Sequence, residues 1–406
     1  MGFVQNTLDR SHGVPPMDRT GESSLVSNSS AEHEIPWVAI PQCQIDGFWS
    51  NMRPNYLNVW FVKRLRANGA SFKLALPVFR FHARGNPHQH ETVRFADVFD
   101  VRHLEQSLGV DCISMEQFNA GKKEGFVLYS KPDGYRCGSS AKLLVGVDQQ
   151  GFTKKTVGDV KRAASVAAMI IKSNQRARIV IHGVSPPTPV VSLPDLRFYL
   201  NSSRVLPSFL LAIFESTQMV RFSTVVQNAA KFALQHWGLD GKKFMAVHVR
   251  RGDTYQQKGK LGQATDIELS DGFNRAISVQ KCSGDALSAV VVSALHGDDA
   301  EVFRKLAPSK QIFTFDSRLR EMIREKVSGM ANCKSSICLD LVEVAVWMHA
   351  DVFLGTRSTM SEMTFLLRMQ RGFSQDEHCS FHAQPCFSFS NSYYLASKKK
   401  RIACEK

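Results

Sequence analysis

Apolar residues along this chain keep two rhythms, a helical one and a strand-like one, and the two alternate. Residues 1 to 36 are Ser-, Gly- and Pro-bearing with little apolar periodicity, which reads as a disordered leader. Patterning begins near Trp37. Tyr56, Val59, Trp60, Val62 and Leu65 form a helical stripe within Tyr56 to Arg66, and Asn68-Gly69 is its natural stop. Phe72 to Leu76 reads as a short strand ended by Pro77. Phe95 to Leu104 is a second amphipathic unit. Further on, Lys142 to Val147 predicts a short strand, Ala163 to Lys172 a helix and Arg178 to His182 another strand.

The strongest breaker cluster is Gly183-Val-Ser-Pro-Pro-Thr-Pro. That cluster, or the stretch just after Leu200, is the expected junction between domains. Beyond it the pattern predicts a helix over Gln218 to Trp237 with Gly238 as its stop, and a strand from Phe244 to Arg250. A valine-rich strand (Ala286 to Leu295), a helix (Asp299 to Leu306) and a strand (Gln311 to Phe315) follow. A helix (Leu339 to His349) and a very short strand (Val352 to Leu354) complete the series. Alternating β and α in both halves predicts an α/β fold of two doubly wound, Rossmann-like domains. The expected boundaries are 1–36 for the leader, 37–205 and 206–375 for the domains, and 376–406 for a tail. No internal repeat is visible.

Composition narrows the function classes. A chain of 406 residues is long for one core, and 43% hydrophobic with 22% charged residues is ordinary for a globular protein. Lys and Arg number 51 against 37 Asp and Glu, a net charge of +14 that favours anionic partners. Only Lys398 to Arg401 forms a basic run, which reads as a solvated tail. No aromatic-rich RNA-binding signature, zinc-finger spacing or Walker A loop occurs, so nucleic acid is not the expected partner. No apolar run reaches the length of a membrane span, and Met1 to Ser30 lacks the pattern of a secretory signal. Among nine cysteines, Cys333 with Cys338 and Cys379 with Cys386 are close enough to pair. Asn28-Ser-Ser and Asn201-Ser-Ser have the form of glycosylation acceptors.

Three segments carry candidate chemistry. The first is Phe244-Met-Ala-Val-His248-Val-Arg250-Arg251-Gly252-Asp253, an apolar strand that delivers polar groups at its carboxyl end. Two guanidiniums there suit a polyanion, because their forks match phosphate oxygens and stay charged; the same residues also suit a solvated Arg-Gly-Asp turn. A lone His in a strand is, on its own, more often a satisfied core residue. The second segment, Asp46-Gly47-Phe48-Trp49-Ser50-Asn51-Met52-Arg53, opens the Tyr56 helix, either as an anion cradle of free amides or as a plain capped loop. Asp46 is a candidate base or a turn cap. The third is Gly355-Thr-Arg-Ser358-Thr359 before a helix, hydroxyls that either cap it or hold phosphate. Glu343, on the helix ahead, reads alone as a solvated face.

These segments, with Phe95-Ala-Asp-Val-Phe-Asp-Val-Arg-His-Leu, resemble the GDP-fucose-dependent fucosyltransferase superfamily, which holds the protein O-fucosyltransferases and the α1,6 and α1,2 enzymes. The resemblance covers roughly residues 45 to 105 and 240 to 372. It implies a GT-B-like architecture, two domains facing across a cleft with GDP-fucose between them. It implies that Arg250 grips the diphosphate, that Glu343 and His248 lie at the guanine, and that Ser358 and Thr359 hold the β-phosphate. Gly47, Asn51 and Arg53 would reach the donor from the first domain, and Asp253 would brace the loop. Asp46 would be the base. The implied reaction is inverting and metal-independent, with no cofactor and with a protein Ser or Thr as first-choice acceptor. Glycan acceptors of the α1,6 or α1,2 kind, and a non-catalytic GDP-sugar-binding relative, stay open. The superfamily works mostly in the secretory pathway, whereas this chain shows no signal peptide or membrane anchor in its pattern.

Overall fold

A computed structural model describes residues 35–40, 48–83, 86–120, 125–129, 160–173, 178–182, 213, 215–249, 269–274, 276–277, 287–294, 298–355, 358–371 and 378–380. The described residues all belong to one unit that starts at Ile35. The expected strand at Lys142 to Val147 and the expected junction at Gly183 to Pro189 lie outside them, as do Cys386 and both Asn-Ser-Ser triplets.

The first sheet has five parallel strands in the order β5-β2-β1-β7-β6. They are β1 (Trp37–Ala39), β2 (Lys73–Ala75), β5 (Cys112–Ile113), β6 (Gly125–Tyr129) and β7 (Arg178–His182). The helix expected from Tyr56 starts two turns earlier, as α1 (Phe48–Ala67). Pro54 hides this in the sequence, since an interior Pro costs about 3 kcal/mol. Phe48, Trp49 and Met52 are all buried on the extension. Each such burial contributes about 1.5–3 kcal/mol, enough together to outweigh the proline. At the other end Gly69 takes a φ of +77°, and the Ala70 N–H donates to Leu65 O at 3.1 Å, the left-handed stop that Asn68-Gly69 predicts.

Between β2 and the Phe95 unit the chain makes an antiparallel ribbon of β3 (Val78–Ala83) and β4 (Asn86–Arg94), separate from both sheets. The Phe95 unit itself is two short helices, α2 (Phe95–Val98) and α3 (Val101–Leu108). Its motif residues have structural work. Phe95 and Phe99 pack on each other and on Phe79, while Asp97 pairs with Arg94. Asp100 caps α3 by accepting from the His103 amide at 3.0 Å. Helices α4 (Met115–Ala120) and α5 (Val160–Ser173) complete this half, α5 packing against α1.

The second half opens on α6 (Thr224–His236), six residues later than the pattern suggests. Phe222 is instead bridged to Phe99, with their rings stacked at 6.0 Å, and Ser223 caps the helix. The second sheet is again parallel, in the order β10-β9-β8-β11-β12. Its strands are β8 (Phe244–Val249), β9 (Ala289–Ala294), β10 (Gln311–Thr314), β11 (Val352–Gly355) and β12 (His378–Ser380). Helices α7 (Asp298–Leu306), α8 (Ser317–Lys326), α9 (Ile337–Trp347) and α10 (Thr359–Gln370) alternate with them. One apolar cluster runs through both sheets, from Val38 of β1 to Phe353 of β11. A second, with Met245, Val247 and Val249, lies on the other face of β8. Cys333 and Cys338 form a disulfide, as their spacing suggests.

Candidate functional site

In the second sheet β9 and β10 lie on one side of β8, and β11 and β12 on the other. The chain therefore reverses its winding between β8 and β11. At such a switch point the connections diverge and leave a crevice beyond the carboxyl ends, where ligands of open α/β sheets bind. His248 and Gly355 are register partners there, and Ser293 flanks His248 from β9.

Strand alternation puts His248 on the same face as Phe244 and Ala246, towards α9. The imidazole is 9% exposed. Its centroid lies 5.0 Å from the fully buried Trp347 ring at the end of α9. Trp347 in turn stacks on Phe353 and donates its indole N–H to Ser293 Oγ at 3.0 Å. The histidine is thus held in place by both neighbouring strands and the helix above.

The next contact comes from α10. Ser358 Oγ accepts from the Ser361 amide at 3.1 Å, the N-cap geometry that the sequence predicts. His248 Nδ1 lies 2.7 Å from Ser361 Oγ and 3.4 Å from Ser358 Oγ. Ser358 also donates to Ser361 Oγ at 3.3 Å. A relay in which Ser358 donates to Ser361, and Ser361 to Nδ1, uses every hydroxyl hydrogen and leaves the ring proton on Nε2. The cap that the sequence offers is present, and it brings the start of α10 onto His248.

Gly355 makes this approach possible. A Cβ at that position would stand 2.8 Å from Ser361 Oγ and 2.9 Å from Ser361 Cβ. Gly355→Ala is expected to force α10 off the sheet and to destabilise the fold by about 1–3 kcal/mol, the usual cost of overpacking. The denaturant midpoint reads this directly. A midpoint equal to wild type would mean that the Ser361 contact is not tight.

Glu343 lies one helical turn before Trp347 and is 2% exposed, not on a solvated face. Its Oε1 accepts from Nη2 of Arg320, on the first turn of α8, and Arg320 also lies 3.8 Å from Asp340. Burial with a fixed cationic partner holds Glu343 rigidly on the helix whose end packs on His248. At the opposite end of the strands Asp351 accepts from the Phe244 amide at 2.9 Å, the structural role its position suggests. The free Cys112 is no candidate nucleophile, because burial, reinforced by Glu105 and Asp111, pushes its thiol up to about 12.

Among the expected site residues, the structure brings together His248, Ser358 and the helix bearing Glu343. Thr359 is the first residue of α10, and Asn51 and Arg53 fall inside α1 rather than in a loop before it. Asp46, Gly47, Arg250 and Asp253 lie outside the described residues. Sequence reasoning missed Ser361, Trp347 and Arg320. The Ser-x-x-Ser spacing at the start of α10 carries a signal for Ser361, and the four-residue step from Glu343 carries one for Trp347. Arg320 leaves none. Among the described residues no group of three or more His, Cys, Asp or Glu side chains is placed to hold a metal, and no helix is long and apolar enough to cross a membrane.

A scan against protein-family models finds no match, and a search of curated proteins finds none. Solved structures do match. The complex of POFUT1 with GDP aligns over 86% of this chain and 99% of its own, at 13% identity and a TM-score of 0.52. The chain has the GT-B-like fold of POFUT1. The POFUT1 complex with GDP-fucose aligns equally well, at 13% identity and a TM-score of 0.52 over 86% of this chain and 98% of that one. NodZ alpha-1,6-fucosyltransferase soaked with GDP-fucose also appears, at 11% identity and a TM-score of 0.37, over 82% of this chain and 92% of its own. The POFUT1-like fold agrees with the α/β, GT-B-like expectation from the sequence.

Proposed function

We propose that this protein is a fucosyltransferase that moves fucose from GDP-fucose to an acceptor hydroxyl. The observation that carries the reading is the meeting of His248, Ser358 and the α10 N-terminus at the switch point of a fold shared with POFUT1. Free amides and the helix dipole at such an N-terminus favour a phosphate. In this reading Ser358 and Thr359 hold the β-phosphate through the backbone amides that open α10, and His248 and Glu343 form the guanine wall. Gly47, Asn51 and Arg53 contact the donor from the first half, and Asp253 braces the loop after β8.

The chemistry assigns the remaining roles. Expelling GDP builds negative charge on the β-phosphate oxygen, and Arg250 offsets it in place of a metal ion. Asp46 takes the proton from the acceptor hydroxyl as it attacks, so the anomeric centre inverts. A Ser or Thr side chain of a protein is the first-choice acceptor, because the Phe95 segment and Asp46-Gly47-Phe48 resemble the O-fucosyltransferases.

Thermal unfolding with GDP, GDP-fucose, GDP-mannose and UDP tests the donor site. GDP or GDP-fucose at about 100 times its dissociation constant is expected to add roughly 2.7 kcal/mol of stability, with no shift from UDP. No response of the folded protein to any guanine nucleotide overturns the assignment.

A further inference from the structure

The β3–β4 ribbon belongs to neither sheet, yet it makes a specific contact with the site helix. Glu91 of β4 lies opposite Phe81 in the ribbon register. Phe81 and Phe79 are buried against Phe48 of α1, with each ring 5.5 Å from it. The base of the ribbon is thereby fixed to the first half. The Glu91 carboxylate then reaches the N-terminus of α9. It accepts from Ser335 Oγ at 2.6 Å, from the Ser336 amide at 2.7 Å and from Ser336 Oγ at 3.0 Å.

This contact reinforces a thin local cap, in which Ser335 Oγ accepts from the Ile337 amide at 3.3 Å. Ser336 is the N-cap residue of α9, and its own side chain makes no capping bond to the helix. A helix start needs acceptors for its free amides and favours negative charge. Here a carboxylate from 245 residues away supplies the negative charge and the acceptor for the Ser336 amide, while it also holds the Ser335 hydroxyl that receives the Ile337 amide. The Cys333–Cys338 disulfide closes the loop that presents the two serines, so the receiving surface is itself fixed.

The consequence lies further along α9. The helix is a rod that rises about 1.5 Å per residue, and it carries Glu343 and Trp347 on its buried face. Holding its first turn fixes both its axial position and its rotation. Trp347 sets the His248 ring at 5.0 Å, and Glu343 is locked by Arg320. We propose that Glu91 is a positioning residue that latches α9 and so sets the wall against which the donor's base lies. A group from the first half would then control nucleotide recognition in the second without touching the nucleotide. The inference rests on the donor reading above.

Three variants test it in the full-length protein: Glu91→Ala, Glu91→Gln, and Thr92→Ala as a neighbouring exposed control on the same strand. The first readout is hydrogen exchange at the amides of Ser336 to Asp340, which reports the latch whether or not a nucleotide binds. Glu91→Ala is expected to speed exchange there about tenfold, the loss of a helix cap, with Glu91→Gln between it and wild type and Thr92→Ala unchanged. The second readout is GDP affinity, expected to weaken about tenfold or more in Glu91→Ala while binding of UDP stays negligible throughout. In turnover, the effect should fall on KM for the donor more than on kcat, and Glu91→Gln should recover part of it.

Unchanged exchange in Glu91→Ala overturns the latch. Faster exchange with wild-type GDP affinity overturns the claim that the latch sets the donor wall. If Glu91→Ala does not fold, Glu91→Gln carries both readouts under the same criteria. Absence of GDP binding by the wild-type protein sinks the donor reading and this role with it, and it is distinguishable because it needs no variant.

Discussion

Arg368→Met is expected to cost about 3–5 kcal/mol of folding stability. Arg368 is fully buried in α10, and its guanidinium faces the end of α9. It donates to the carbonyls of Trp347 at 2.5 Å, Ala350 at 2.6 Å and Asp351 at 3.1 Å. Those carbonyls belong to the last turn of α9 and the entry to β11, where helical acceptors lose their own partners. Methionine fills much of the space but offers no donor. Trp347 O still accepts from the Ala350 amide at 3.3 Å, and leaving the other two carbonyls unsatisfied at about 1–3 kcal/mol each brackets that loss. Arg368→Lys restores the charge without the fork and should recover only part of the loss. Equilibrium unfolding in urea is the measurement, with a lowered midpoint at unchanged slope. A loss below about 1 kcal/mol would mean that water reaches these carbonyls.

Arg250→Ala is expected to reduce turnover by about 10²–10³, the usual loss for one preorganised charge at a developing oxyanion. Arg250 directly follows the last residue of β8, at the strand end that carries His248. In the proposed reaction its charge would matter most when the bond to GDP breaks. The effect should therefore fall on kcat as well as on kcat/KM, whereas loss of simple binding would raise KM alone. Arg250→Lys keeps the charge and loses the bidentate fork, so it should retain an intermediate rate. Steady-state kinetics with GDP-fucose decides between these patterns. A rise in KM alone would leave Arg250 as a binding residue and remove it from the chemistry.

Legibility differed between the two sheets for physical reasons. The strands β8, β9 and β11 are buried on both faces, so each is a nearly unbroken apolar run that stands out in the sequence. In the first sheet β5 has two residues and β1 three, too short for any period to show, whereas the apolar run around β2 between Asn68-Gly69 and Pro77 was legible. The β3–β4 ribbon, with His82, His88, Gln89 and His90, reads as polar loop, because only one of its faces is buried. His248 and Ser358 were visible because strand ends and helix caps have local signatures. Glu91, Arg320 and Trp347 act through partners that the chain brings together only after folding, and no window of sequence contains both members of those contacts.

The apolar cluster that joins Val38 to Phe353 has a practical consequence for anyone dividing the protein. Phe99 and Phe222 meet within it, as do α1 and α10. A fragment ending at the Gly183 to Pro189 stretch would carry the first sheet with the matching half of that interior uncovered. Its complement would carry β8 and the site, but without Glu91 to cap α9. Such pieces present wide greasy surfaces to water and tend to aggregate rather than to behave as separate modules. Crystallisation or display work is therefore better served by keeping both sheets on one chain than by splitting it.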